Sequence, residues 1–387
     1  MMIKKTRNLL LIVFVLFVAA SLPGLGGASY AQGLAATPPS TPTPNPSGTQ
    51  PLGPDQFPSG VNPLTGLPVS DPRLLSLPPA LISVTNFPVS ARPQAGLSFA
   101  SYVFELFIGK GMTRYLALFY GEYPKELPPS DGSSAVTMDQ AAIGPIRSGR
   151  LPYQTLRTLY NGFLVMASAS SEVRSQLSNS TNIFGSDNDN INSALIDVTR
   201  LESIAQANVT GKSQNLTGNQ FNPNPPASGE DANSLWVFYN FYNQIMWEYD
   251  PASGAYLRSQ DQADGSGKFY PSTDRLTGQQ LAFENVIVFV VEHKPLNGDK
   301  TLIDLDMLYT RNKAYLFRDG KVYPILWSTV NGEYEKKTGQ MRPVRFEDAK
   351  GNPFPLKPGN TWVEIVDLST TLTEPQPGQW KARFYAP

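Results

Sequence analysis

Short apolar runs separated by turn residues are the dominant pattern of this chain. Ala80–Asn86 is apolar or β-branched and bounded by Pro78-Pro79 and Pro88, which predicts a buried strand. Tyr102–Ile108 and Thr113–Phe119 flank Gly109-Lys110-Gly111 and are apolar at nearly every position. They predict a hairpin at the centre of a sheet covered on both faces. Pro152 with Tyr153, Leu156, Leu159 and Tyr160 predicts a helix, because proline is tolerated in a first turn and the apolar positions share one face. Phe163–Ala167 reads as a further strand, and Ser170-Ser171-Glu172 as the cap of a short helix through Leu177. This alternation predicts an α/β layered N-terminal domain with a mixed sheet, over residues 64–226. From Ser178 to Pro226 the chain is rich in Asn, Ser, Gly and Gln, with one helix expected near Leu201–Ala207.

From Asn233 the runs become aromatic and β-branched. Asp250–Gly254 joins Ile245–Tyr249 to Ala255–Ser259, and Asp319-Gly320 joins Ala314–Arg318 to Lys321–Trp327. Asn285–Glu292 and Thr361–Val366 are further strands. Hairpins at this spacing predict a mostly antiparallel β domain over 233–387, so the fold class is α+β overall. Trp327 and Trp362 are expected as core anchors.

The N-terminus differs from both domains. Lys4, Lys5 and Arg7 precede an apolar run from Leu9 to Ala20 and the small-residue site Ser29-Tyr30-Ala31, the layout of a secretory signal over 1–31. The run is shorter than the roughly 20 residues a spanning helix needs, so cleavage is favoured over a retained anchor. Residues 32–63 are Pro/Thr/Ser-rich and predict a disordered tether. There is no cysteine, which excludes a lipobox, disulfides and thiolate chemistry and predicts an exported protein that is not a lipoprotein. The 31 basic and 32 acidic residues nearly cancel, which argues against a nucleic-acid partner, since that needs a basic face.

Candidate chemistry centres on Ile143–Arg157, where Arg147, Ser148 and Arg150 precede the predicted helix start. Helix starts carry unpaired N–H groups, and guanidinium forks match phosphate or carboxylate, so the stretch suits an anion. Glu105 is the odd residue in the central hairpin. A two-residue turn would bring it opposite or diagonal to Arg114, so a Glu105–Arg114 pair is expected, because an unpaired buried carboxylate costs several kcal/mol. The candidate ligand-binding set is Asn86, Arg92, Glu105, Arg114, Arg147, Ser148 and Arg150, with the arginines near one pocket and no metal or cofactor. The leading expectation is non-enzymatic binding of an anionic wall component or a protein partner. The alternative is an enzyme acting on a phosphate- or carboxylate-bearing wall polymer with Glu105 as acid or base. A third reading makes the arginines internal struts.

Other signals fail on spacing. His293, the only histidine, has no Gly-x-Ser-x-Gly partner motif. Gly211-Lys212-Ser213 lacks the upstream glycine of a phosphate loop, and Asp187–Asn190 lacks the central glycine and closing glutamate of a calcium loop.

Several short motifs occur in order: Asn62–Pro68, Ala91–Ser98, Thr113–Phe119, Gly144–Arg150, Tyr256–Arg258, Asp274–Gly278 with Asn285–Val288, Gly351-Asn-Pro and Pro358–Trp362. Together they resemble the YerB-like bacterial lipoproteins, over about residues 62–367. The resemblance implies an exported protein with an N-terminal and a smaller C-terminal domain, and it carries no reaction with it. Ser213-Gln214-Asn215 stands where that family has Pro-His-Asn.

Overall fold

Continuously buried strands build the centre of the molecule, as the apolar runs require. The computed structural model describes residues 50–124, 142–182, 196–209 and 214–387. The predicted signal, most of the predicted tether, Asp187–Asn190 and Gly211–Ser213 lie outside the described residues. Part of the stretch expected to be tether packs on the domain: Leu52 pairs with Phe221, and the Phe57 ring meets Phe221 edge-on.

Ala80–Thr85, Tyr102–Phe107 and Thr113–Phe119 are buried at every position. They sit in the middle of an 11-stranded sheet. On one side Ala80–Thr85 is followed by the parallel strands Phe163–Met166 and Ser180–Asn182. On the other, Tyr102–Phe107 runs parallel to Thr361–Val366, which runs parallel to Asn285–Val290. Arg311–Arg318, Lys321–Ser328 and Arg345–Glu347 complete that wing in antiparallel order, with Glu230–Asp231 beside Lys321–Ser328. Strands from both sequence segments therefore share one hydrogen-bonded sheet, joined by the Tyr102–Thr361 register.

A 7-stranded sheet covers one face. Its centre is Ala255–Gln260, Asn243–Asp250 and Ser234–Asn240, continued by Gln379–Arg383 in parallel and by Thr371–Gln376. The last two strands are absent from the sequence reading because Thr371–Gln376 is largely exposed and has no apolar face. Trp247 meets Trp362 and Phe283 between the layers at 5.4 and 6.1 Å. Trp327 and Trp362 are both fully buried, as core anchors should be.

The helix Pro152–Leu159 covers the opposite face of the large sheet, burying Tyr153, Leu156 and Leu159. Tyr160, just beyond its end, packs on Tyr102 and Phe104. Ser170 caps Ser171–Arg174 by accepting from Val173 N, and Val198–Ala207 forms the remaining long helix of this half.

One further contact ties the segments together. The Asp274 carboxylate accepts backbone N–H bonds from Gly96, Ser98 and Leu276 at 2.8–2.9 Å, and Arg275 N donates to Gln94 O. A buried carboxylate needs several donors. Here they come from two of the short motifs, Ala91–Ser98 and Asp274–Gly278.

Candidate functional site

The turn of the central hairpin decides which charges meet. Gly109, Lys110 and Gly111 all have positive φ, and Ile108 N donates to Met112 O across them. The loop thus has three residues rather than two. Glu105 consequently lies opposite Tyr115, while Arg114 lies opposite Leu106. A shift of one residue puts a side chain on the other face of a sheet. The expected Glu105–Arg114 pair is therefore not made, and the two charges sit in separate layers.

Glu105 faces the second sheet and is fully buried. Its Oε2 accepts from Arg258 Nη2 at 2.9 Å, and its Oε1 from the Thr113 hydroxyl at 2.6 Å and from Asn86 Nδ2 at 3.4 Å. Arg258 is itself buried over the Trp362, Tyr115 and Trp247 rings, 4.7–5.8 Å from their centroids. Burial pulls its basicity down, but Tyr115, Glu105 and Glu364 more than offset that, so Arg258 stays a firm cation. Glu364 lies directly beside Glu105 on the neighbouring parallel strand, held by Trp247 Nε1 at 2.9 Å and the Tyr239 hydroxyl at 3.2 Å. Burial and then Glu105 raise its pKa far above the usual carboxylate range. Two carboxylates thus lie in the field of one guanidinium, which bonds Glu105 alone, and the cluster balances when Glu364 holds a proton. Glu105 has no surface open to water, so the geometry required of an acid or base in a cleft is missing. Arg258, Glu364, Trp247 and Tyr239 were not singled out in the sequence, because only the pairing of the two sheets brings them to Glu105.

Arg92 and Asn86 border this layer. Arg92 Nε donates to Asn86 O and Oδ1 at 3.2 Å, its Nη1 to Asp261 O at 2.6 Å, and its guanidinium covers the Phe87 ring.

The other arginines gather on the helix-covered face. The segment after Gly144 runs alongside the end of Ala80–Thr85: Thr85 N donates to Pro145 O and Arg147 N to Ser83 O. On its other side Ala167 N donates to Arg147 O and Gly149 N to Ser168 O. The Arg147–Arg150 turn is thereby wedged between the carboxyl ends of two parallel strands, where open α/β sheets commonly bind ligands. Gly149 packs closely: a Cβ there would lie 2.5 Å from Met166 Sδ and 2.7 Å from Leu177 Cδ1, so those side chains would have to shift. Leu151 and Met166 pack with Leu302 of the second segment, so both halves support the turn.

Arg114 projects to the same place and is 6% exposed. Its Nη1 donates to Ser148 O at 2.8 Å, and among the described residues Arg150 Nη1 reaches only its neighbour Gly149 O at 3.0 Å. The Nε groups of Arg114, Arg147 and Arg150 are all buried without an acceptor among the described residues. No carboxylate of the described residues pairs with any of the three. Burial, then Arg150 and Arg147, lower the basicity of Arg114; burial and Arg150 do the same to Arg147. Arginine does not give up its proton under such pressure. The lowered basicity therefore reflects first the cost of burying a guanidinium and then that of holding like charges together. Tyr153 adds a buried hydroxyl 3.3 Å from Ser83 Oγ, and burial raises its pKa and keeps it protonated.

The helix start contributes less than expected. Tyr153 N and Gln154 N fold back onto Arg150 O and Leu151 O at 3.1 Å, which uses two of the first-turn donors. Side chains, rather than the helix terminus, make this site. His293 is buried at the far edge of the core between Phe107 and Phe384, with Nδ1 on Val291 O, and it joins neither cluster.

This architecture and its motifs define a family. The chain belongs to the family described as protein of unknown function DUF3048, matching its N-terminal domain over residues 64–219 and its C-terminal domain over 236–363. It is 27% identical over 321 residues to the Bacillus subtilis (strain 168) protein named "Putative lipoprotein YerB", covering 79% of this chain and 85% of that one. The crystal structure of YerB protein from Bacillus subtilis superposes with a TM-score of 0.60 at 26% identity, covering 79% of this chain and 96% of that chain. No helix among the described residues is long and apolar enough to cross a membrane.

Proposed function

We propose that this chain is an exported envelope protein that binds an anionic ligand between Arg114, Arg147 and Arg150. The export reading rests on the N-terminal signal pattern and on the similarity to a protein named as a lipoprotein. One observation carries the binding reading: guanidinium groups close enough to depress one another have no carboxylate partner among the described residues, and each keeps a buried Nε without an acceptor. The missing carboxylate separates this cluster from a structural strut: Arg258 also keeps a buried Nε without an acceptor, but it has Glu105 built in. An anion with several acceptor oxygens would satisfy the Nε groups and cancel the repulsion at once. A phosphate- or carboxylate-bearing wall component fits, with Ser148 and the Tyr153 hydroxyl beside it, and no catalytic group is needed.

Thermal unfolding with inorganic phosphate, pyrophosphate, a polyuronate and chloride as control tests this. A ligand at about 100 times its Kd adds about 2.7 kcal/mol to stability. The expected result is a rise in Tm with one of the polyvalent anions that is lost in Arg147→Ala/Arg150→Ala. A wild type indifferent to all of them overturns the proposal.

A further inference from the structure

The opposite surface of the second sheet ends in a turn that the fold does not require. Ser234–Asn240 and Asn243–Asp250 are joined by Phe241 and Tyr242, which are 70% and 60% exposed. Two-residue turns normally carry Asn, Gly or Asp. Here Asn240 does that work: its Oδ1 accepts from Tyr242 N at 2.6 Å and its Nδ2 donates to Gly111 O at 2.9 Å. The two rings therefore contribute little to making the turn, although Phe241 meets Phe238 edge-on at 5.5 Å.

Cations surround this tip. Lys381 lies 3.5 Å over the Trp236 ring and also approaches Phe238, and Arg383 covers Phe238 and the exposed Tyr385. Lys110 is exposed on the turn that Asn240 grips, and exposed Lys300 sits beside Gly109 with its Nζ on Pro387 O. Lys110, Lys381 and Arg383 pair with no side-chain carboxylate among the described residues, while Lys300 is held by the Pro387 carboxyl oxygen. The nearby acids are fewer: Asp264, near Tyr242 by way of Gly265, accepts from Ser266 N, and Asp299 accepts from Thr301 Oγ1.

We propose that this tip docks on the headgroup region of a bilayer containing anionic lipid, with Phe241 and Tyr242 at the acyl boundary and Lys110, Lys300, Lys381 and Arg383 on the headgroups. Aromatic rings settle at the membrane–water interface, and basic residues near an anionic leaflet add about 1 kcal/mol each. The shape selects this occupant. The rings stand out on a convex turn instead of lining a groove, and the charge around them is of one dominant sign. The proposal is independent of the arginine site.

The absence of cysteine allows a test in the full chain. Tyr242→Cys gives a unique thiol for an environment-sensitive fluorophore, and Ala252→Cys gives a control in the exposed turn after Asp250. Position-specific emission separates tip insertion from any binding through the N-terminal apolar run. Vesicles with 30% phosphatidylglycerol should shift the Tyr242→Cys emission to the blue and leave Ala252→Cys unchanged, while phosphatidylcholine alone should act weakly. Adding Lys110→Glu should weaken the effect by at least about five-fold, one headgroup contact being worth about 1 kcal/mol. Equal shifts at both positions, or no shift at Tyr242→Cys, overturn the proposal, as does a response to polyuronate but not to vesicles.

Discussion

The two faces of the central sheet treat buried charge in opposite ways. Between the sheets, Glu105, Arg258 and Glu364 are sealed from water and enclosed by Thr113, Asn86, Trp247 and Tyr239. Under the helix, Arg114, Arg147 and Arg150 gather with no carboxylate partner among the described residues, and Arg150 and Arg147 depress Arg114. Charge satisfied within the chain stabilises it. Charge left unsatisfied at a half-open place costs stability and is retained where something else is to be met, as sites that break local rules commonly are. Mutation should separate the faces sharply.

The largest effect is expected at Arg258. Arg258→Met leaves Glu105 buried without its cation, and breaking such a pair typically costs about 3–5 kcal/mol. Urea unfolding should show a lower midpoint at unchanged slope. Glu105→Gln/Arg258→Met should recover part of the loss, because neither charge is then stranded. A loss from Arg258→Met below about 1 kcal/mol would put this layer on the same footing as the other and remove the contrast.

Glu364 provides an intermediate effect whose sign depends on pH. Its folded pKa is raised, so its contribution is fully present below the ordinary glutamate value and is lost as pH rises through the folded value. Stability of the wild type should therefore decline from about pH 4.5 upward. Glu364→Gln keeps an acceptor for Trp247 Nε1 and cannot ionise, so its curve should be flatter. The variant should gain on the wild type by about 1 kcal/mol or more at pH 9, one pKa unit being worth 1.36 kcal/mol. Parallel curves would mean that Glu364 is ionised in the fold.

Much of this fold was legible in the chain because its strands are buried on both faces and read as unbroken apolar runs. Ala80–Thr85, Thr113–Phe119 and Thr361–Val366 are of this kind. The helix Pro152–Leu159 was legible from its proline and its apolar spacing. What escaped was long-range pairing. Tyr102–Phe107 lies beside Thr361–Val366 although roughly 260 residues separate them, and no local pattern specifies that partnership. The site was legible to the same depth. Arg147 and Arg150 were evident from composition, and Arg114 was found but assigned to the wrong face. That error came from a single residue in the hairpin loop, where Lys110 takes a left-handed conformation that glycine or asparagine usually fills. Arg258, the true partner of Glu105, was present only as the end of a short motif, Tyr256-Leu-Arg258.

The smallest effect separates the faces most clearly, because its sign is unusual. Among the described residues Arg150 hydrogen-bonds only to the carbonyl next to it, and it adds to the repulsion on Arg114 and Arg147. In chloride buffer, Arg150→Ala should leave stability within about 0.5 kcal/mol of the wild type, or raise it slightly, as removal of a frustrated surface-side charge does. In a saturating polyvalent anion the order should reverse, since the wild type gains the ligand's contribution and the variant gains less. Raising the salt concentration should narrow the difference in chloride, because screening weakens the repulsion that the substitution relieves. A strut predicts the contrary: a loss of stability in every buffer, independent of the anion. Unfolding midpoints of two proteins in two buffers therefore decide whether Arg150 belongs with Arg258, as part of the frame, or faces a partner from outside the chain.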